Sequence, residues 1–77
     1  MDDGIHWKIE YYRDVWHDDT VTRTAKHYSK AGEVVSLANL IAHYGFAITT
    51  YAVVWIGDTV VGRYKRDTET REWREAE

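Results

Sequence analysis

Cysteine is absent from the 77 residues, which excludes a disulfide framework, a thiolate zinc site, an iron–sulfur cluster and a cysteine nucleophile. Long apolar runs are missing as well. The longest stretch without a charged side chain, Val34 to Ile56, contains Ser36, Asn39, His43 and Gly45, and is too polar and interrupted to span a bilayer. Met1 to His6 has no basic segment leading into an apolar core, as a secretory signal requires. These absences predict a soluble, cytoplasmic protein without a membrane partner. Excess positive charge is lacking too: 10 Lys and Arg stand against 13 Asp and Glu, for a formal net charge of -3. Generic nucleic-acid binding needs clustered cations to neutralise several phosphates, so it would have to come from local clustering rather than from the total.

What is present fits a single domain at the small end of the range in which one core offsets chain entropy. No repeat, low-complexity segment or linker breaks the chain. The expected ordered core runs over about residues 5–66, with an acidic tail over 67–77.

Ile5, Trp7, Ile9 and Tyr11 alternate with His6, Lys8, Glu10 and Tyr12, the period of two of a strand with one buried face. After the polar cluster His17-Asp18-Asp19, the segment Thr20 to Tyr28 is rich in Thr and Val and predicts a returning antiparallel strand. A two-residue loop at Asp18-Asp19 puts Asp14 opposite Arg23; a three-residue loop changes every pairing. Both registers remain open at this level.

Ser29 suits a helix N-cap, with Glu33 or Ser36 as later alternatives because Gly32 disfavours the first turn. Val34, Leu37, Ala38, Ile41 and Tyr44 recur at helical spacing, and Gly45 suits the left-handed position that stops a helix. Ala47 to Ile56 and Thr59 to Arg66 then predict two strands joined at Gly57-Asp58 by a type II′ turn, which takes Gly first. In that register Trp55 pairs with Val60, Val54 with Val61, Val53 with Gly62 and Tyr51 with Tyr64. The tail DTETREWREAE has helix-favouring composition, with Asp67 or Thr68 as a cap. The expected architecture is α+β in ββαββ order, a four-stranded antiparallel sheet with one helix on one face.

Chemistry-bearing constellations are scarce. His6, His17, His27 and His43 are scattered over four elements without the spacing of a metal site. His17, Asp18 and Asp19 can be read as a loose chelating tip or as a solvated turn. The serines, Ser29 and Ser36, serve the helix and do not form a nucleophile turn, and no glycine loop opens a helix toward a phosphate. We therefore expect no catalytic residue, no metal, no cofactor and no enzymatic activity.

One helix covers one side of a sheet, so the other side should stay open. Tyr51, Trp55 and Tyr64 are the expected contacts on that open face, with Arg63, Lys65 and Arg66 as a charged rim and Asp18 and Asp19 as a second patch. In the alternative reading these aromatics extend the core, or Trp73 of the tail folds back over them. Trp73 itself reads either as the anchor of the tail on the open face or as an exposed binding residue. If Arg63, Lys65 and Arg66 lie beside Arg13, Arg23, Lys26 and Lys30 in the sheet, a basic strip forms with Tyr28, Tyr51 and Tyr64 interleaved. Such a strip suits phosphates and bases, although cations at strand edges also prevent edge pairing.

The order of two strands, helix from Ser29 to Gly45, hairpin VVWIGDTVVGRYKR and Trp-containing tail resembles small accessory proteins of phages and mobile elements, among them single-domain anti-CRISPR inhibitors. The resemblance covers most of the chain but includes no diagnostic motif. It implies a stoichiometric inhibitor acting in the host cytoplasm on a host protein or nucleoprotein complex. Nucleic acid is the alternative partner, and a homodimer through the open face is compatible with both.

Overall fold

The structure is a computed structural model that describes residues 4–14, 18–45 and 48–76, with residues 14 and 18–20 described in their backbone alone. The chain forms β1 (Ile5–Asp14), β2 (Asp18–Ser29), α1 (Leu37–Tyr44), β3 (Tyr51–Ile56), β4 (Thr59–Arg66) and β5 (Trp73–Glu75). The strands build one five-stranded sheet in the order β2-β1-β3-β4-β5, with every pairing antiparallel. The α+β class and single helix agree with the sequence reading. The sheet has a fifth strand, because the tail expected to be helical is β5.

Strand β1 alternates as its sequence suggests, and Ile9 and Tyr11 are fully buried. The β1–β2 register pairs Ile5 with Ser29 and Tyr11 with Arg23, then shifts so that Tyr12 meets Val21 and Asp14 meets Asp18. Asp14 therefore does not face Arg23. Asp18 and Asp19, expected at a turn, belong to the first residues of β2, and their side chains lie outside the described residues, as does His17.

The helix starts later than Ser29. Lys30 to Glu33 form a tight turn closed by Glu33 N–H to the Lys30 carbonyl at 3.1 Å, with Gly32 at φ 82°, the backbone a type II turn requires. Lys30 N–H also donates to Glu33 Oε2 at 2.9 Å, so Glu33 serves this turn. Ser36 is the N-cap, accepting from Asn39 N–H. Ser29 instead ends β2, where its buried hydroxyl accepts from Trp7 Nε1 at 2.9 Å. Val34, assigned to the buried helical stripe by periodicity, precedes the helix and is 97% exposed.

Helix α1 lies on the sheet face formed by Ile9, Tyr11, Ala25, Ala52 and Val54, with its own Leu40 and Ile41 completing the core. Small residues make the floor on which the helix rests: Ala25, Ala52 and Gly62, where a Cβ would lie 3.4 Å from Leu37. Tyr11 ties helix to sheet, donating its hydroxyl to the Ile41 carbonyl at 2.6 Å. Burial holds that hydroxyl protonated well above the ordinary tyrosine range. Gly45 N–H reaches the same carbonyl at 2.9 Å. Gly45 is extended, at φ -70° and ψ 161°, rather than left-handed. Its lack of a side chain serves close approach, since a Cβ would sit 3.1 Å from the Ile41 carbonyl and 3.4 Å from Trp73.

Trp73 anchors β5 from the helix side. Its ring packs edge-on against Tyr11, with centroids 6.0 Å apart, and it is 9% exposed. The loop into β5 is closed by Asp67, whose Oδ1 accepts from Glu69 N–H at 2.8 Å and Thr70 N–H at 3.2 Å. These backbone donors hold the Asp67 carboxyl below its ordinary range, with Arg74 adding a smaller pull in the same direction. The acid thus caps a turn, not the helix expected there. The turn ends at Arg71, whose φ of 63° is a left-handed conformation normally given to glycine. No helix among the described residues is long and apolar enough to cross a membrane.

Candidate functional site

Paired residues in an antiparallel sheet project on the same face, so the register assigns each side chain to the helix side or the open side. Starting from the buried set on the helix side, the open side carries four rows. The first is Tyr28 and His6; the second is Lys26, Lys8, Trp55 and Val60. The third is Thr24, Glu10, Val53 and Arg63, and the fourth Val21, Tyr12, Tyr51, Lys65 and Arg74.

Five of the ten basic residues, Lys8, Lys26, Arg63, Lys65 and Arg74, therefore stand on this face, with Glu10 as the one acid among the residues whose side chains are described; the pair Asp14–Asp18 beyond Tyr12 is described in its backbone alone. The chain's remaining described carboxylates lie in turns, at strand ends or toward the helix side. A protein of net charge -3 thus concentrates cations where its aromatics are open. Cations and rings meet directly, with Lys8 Nζ 4.8 Å from the Trp55 ring centroid. Tyr12 and Tyr51 lie across the strands with centroids 5.8 Å apart, and His6 and Tyr28 at 4.8 Å. Val53, the smallest apolar residue of the centre, is 7% exposed although it is outside the helix-side cluster. Its neighbours by register are Glu10, Arg63, Tyr51 and Trp55, long side chains of the kind that cover short ones.

Trp55 is half-buried, and its indole Nε1 is buried without an acceptor among the described residues. Leaving such a donor unpaired costs about 1–3 kcal/mol. Arg74 is engaged by acids, with Nη2 3.8 Å from Glu72 Oε2 and Nε 4.0 Å from Asp67 Oδ2.

The expected contact set divides in two. Tyr51 and Trp55 share the open face, and Arg63 and Lys65, expected as a rim, stand on that face beside them. Tyr64 and Arg66 are not. The pairing Trp55–Val60 holds, but the register shifts at the next step, so Val54 meets Gly62, Val53 meets Arg63, Ala52 meets Tyr64 and Tyr51 meets Lys65. Val61 is the extra residue of a bulge, which moves every later side chain of β4 to the opposite face. Tyr64 consequently packs against the core, where burial raises its hydroxyl pKa and Glu75 adds to the shift. Arg66 lies 5.9 Å from the Trp73 ring centroid. The Trp73 side chain is on the helix side, so it does not cover Trp55 and Tyr51.

The anticipated basic strip is likewise two clusters. Strands β2 and β4 are separated by β1 and β3, which places Lys8 and Lys26 at one corner and Arg63, Lys65 and Arg74 at the other. Arg23 pairs with Tyr11 and thus belongs to the helix side. Sequence reasoning missed His6, Lys8, Tyr12 and Arg74 as members of the face. The first three are the polar half of the β1 alternation, and recognising them needed the knowledge that β1 sits beside β3.

Among the described residues no group of three His, Asp or Glu side chains is placed to hold a metal. His27 Nδ1 instead lies 3.1 Å from the Tyr44 hydroxyl, and His43 packs edge-on against Tyr44. Comparison with protein-family models, curated proteins and solved structures found no match.

Proposed function

We propose that this domain is a non-enzymatic binding module that holds single-stranded nucleic acid across the open face of its sheet. The observation that carries the reading is the placement of Lys8, Lys26, Arg63 and Lys65 around Trp55, Tyr51 and Tyr12 on the face opposite the helix. Strands spaced ~4.8 Å apart, with same-face residues repeating every ~6.8 Å, put Lys8 and Lys65 roughly 17 Å apart. That separation accommodates a short run of nucleotides, with cations at both ends for phosphates and rings between them for bases. Moving Lys8 off the Trp55 ring opens the indole for a base and sends the ammonium toward the backbone.

The test is fluorescence anisotropy of a labelled oligothymidylate over a salt series. Single-strand binding releases about 0.7 counterion per phosphate contacted, so four cations give a log–log slope of about -2.8. Arg63→Gln with Lys65→Gln lowers its magnitude by about 1.4. No binding at low salt, or a slope unchanged in the double variant, removes the reading.

A second reading keeps the phage-type inhibitor, anti-CRISPR-like in action, that binds a host protein complex stoichiometrically. Trp55 and Tyr51 favour it, because Trp and Tyr dominate the energetics of protein interfaces. In that case the cations meet an acidic protein surface, and a tagged pull-down recovers a stoichiometric, nuclease-resistant partner instead of nucleic acid.

A further inference from the structure

We infer that the concavity at the β1–β2 corner of the open face is a nucleoside-monophosphate pocket, which seats the phosphorylated terminal nucleotide of the bound strand. The second half of this inference rests on the single-strand reading above. The concavity measures about 460 Å³ and is lined by His6, Lys8, Lys26, Tyr28 and Gly57, together with Trp7 and His27, the pair that lies between those two rows in the ladder. Small-molecule sites fall in the range of about 300–1,000 Å³.

Lys8 and Lys26 are direct cross-strand partners, and neither forms an ion pair with a described residue. Like charges placed directly opposite destabilise a ladder. A dianion between them turns that repulsion into attraction. A terminal phosphate monoester carries about -1.5 to -2 at neutral pH, whereas an internal diester carries a single charge, so the paired ammoniums match a strand end better than its interior.

Beside the lysines, the Tyr28 ring is 44% exposed and packs against His6 with centroids 4.8 Å apart, tilted by 46°. Gly4 runs so close beneath it that a Cβ there would collide with the ring. A ring fixed in this way and still exposed offers a platform on which a base stacks. Cation pair, fixed ring and concavity together define a phosphate held next to a purine or pyrimidine.

The experiment titrates adenosine 5′-monophosphate, adenosine and inorganic phosphate separately into the ¹⁵N-labelled protein at low salt. The expected result is that the monophosphate shifts the amides of His6, Lys8, Lys26 and Tyr28 and binds about tenfold tighter than either fragment, the gain of one net charge-assisted contact. Lys26→Gln, which relieves a repulsion and leaves the thermal midpoint unchanged or raised, abolishes that gain, as does Lys8→Gln, in which the relieved repulsion offsets the lost contact with the Trp55 ring. Oligothymidylates with and without a terminal 5′- or 3′-phosphate then show a comparable preference that the same variants erase. Monophosphate shifts scattered over the helix side, or an affinity equal to that of adenosine, overturn the pocket. If oligothymidylates bind with the salt slope given above but no preference for an end phosphate, the single-strand reading stands and the pocket falls. If the monophosphate binds here and no oligonucleotide does, the pocket stands and the strand reading falls.

Discussion

Replacing Trp73 with alanine tests the division of the protein into a core side and an open side. Trp73 is buried between Tyr11 and the end of α1, and it is the residue through which the three-residue strand β5 is attached. Truncating a buried Trp costs about 3–5 kcal/mol. A chain of this length is stable by roughly 4–12 kcal/mol, so the loss removes a large fraction of the total. Trp55→Ala is the matched control. It forfeits a cation–π contact of about 0.5–1 kcal/mol and part of an apolar surface, but also removes an unpaired buried donor, which returns about 1 kcal/mol or more. The net cost is about 0–1.5 kcal/mol. Urea unfolding followed by far-UV circular dichroism separates the two, because at a slope of about 1.5 kcal/mol/M the Trp73 variant loses at least ~2 M in midpoint and the Trp55 variant less than ~1 M. Equal losses, or a larger loss at Trp55, refute the assignment of Trp73 to the core and Trp55 to the open face.

Other consequences follow from single contacts. Tyr11 is held neutral by burial, so its contribution is complete below the ordinary tyrosine pKa of about 10 and is lost as pH rises above it. Tyr11→Phe costs about 1 kcal/mol at neutral pH and flattens the alkaline fall in thermal midpoint, leaving the smaller part due to Tyr64. Asp67 has a lowered pKa, so its contribution is present above the ordinary carboxylate range and disappears as pH falls through the lowered value. The midpoint difference between the protein and Asp67→Ala at pH 7 accordingly shrinks toward zero in strong acid. Arg71→Gly relieves a left-handed conformation that costs about 1–2 kcal/mol, less about 0.5–1 kcal/mol of added chain entropy, for a net gain near 0.5–1 kcal/mol in urea unfolding. Trp55→Ala weakens oligothymidylate binding about 5- to 150-fold, the worth of one stacked base, while the protein continues to unfold cooperatively.

The elements that local chemistry specifies were legible in the sequence. Alternation in β1 and the Gly57-Asp58 turn locate two strand boundaries, because the first is a two-residue period and the second a backbone conformation that glycine favours. Gly57 has φ 59°, as the turn requires. Features decided by tertiary contact were not legible. The bulge at Val61 leaves no mark on composition, since Val is a good strand residue in or out of register, and its effect was to exchange Tyr64 and Arg66 for Arg63 and Lys65. Strand β5 is three residues long within a helix-favouring segment, and it is held by the burial of Trp73 rather than by propensity. Ser29 has the right chemistry for a cap, but Trp7 Nε1 uses its hydroxyl, and the chain caps its helix seven residues later at Ser36. For the candidate site, the aromatic and cationic residue types were readable, whereas their union on one face depended on β1 lying beside β3.

The most direct test of the central claim is amide chemical-shift mapping of the ¹⁵N-labelled protein with a short oligothymidylate at low salt. Shifts concentrated on Lys8, Glu10, Tyr51, Val53, Trp55, Arg63 and Lys65, together with movement of the Trp55 indole N–H resonance, are the predicted result. Saturable shifts confined to α1, its preceding turn and the β4–β5 loop, with the open-face amides unmoved, would contradict it.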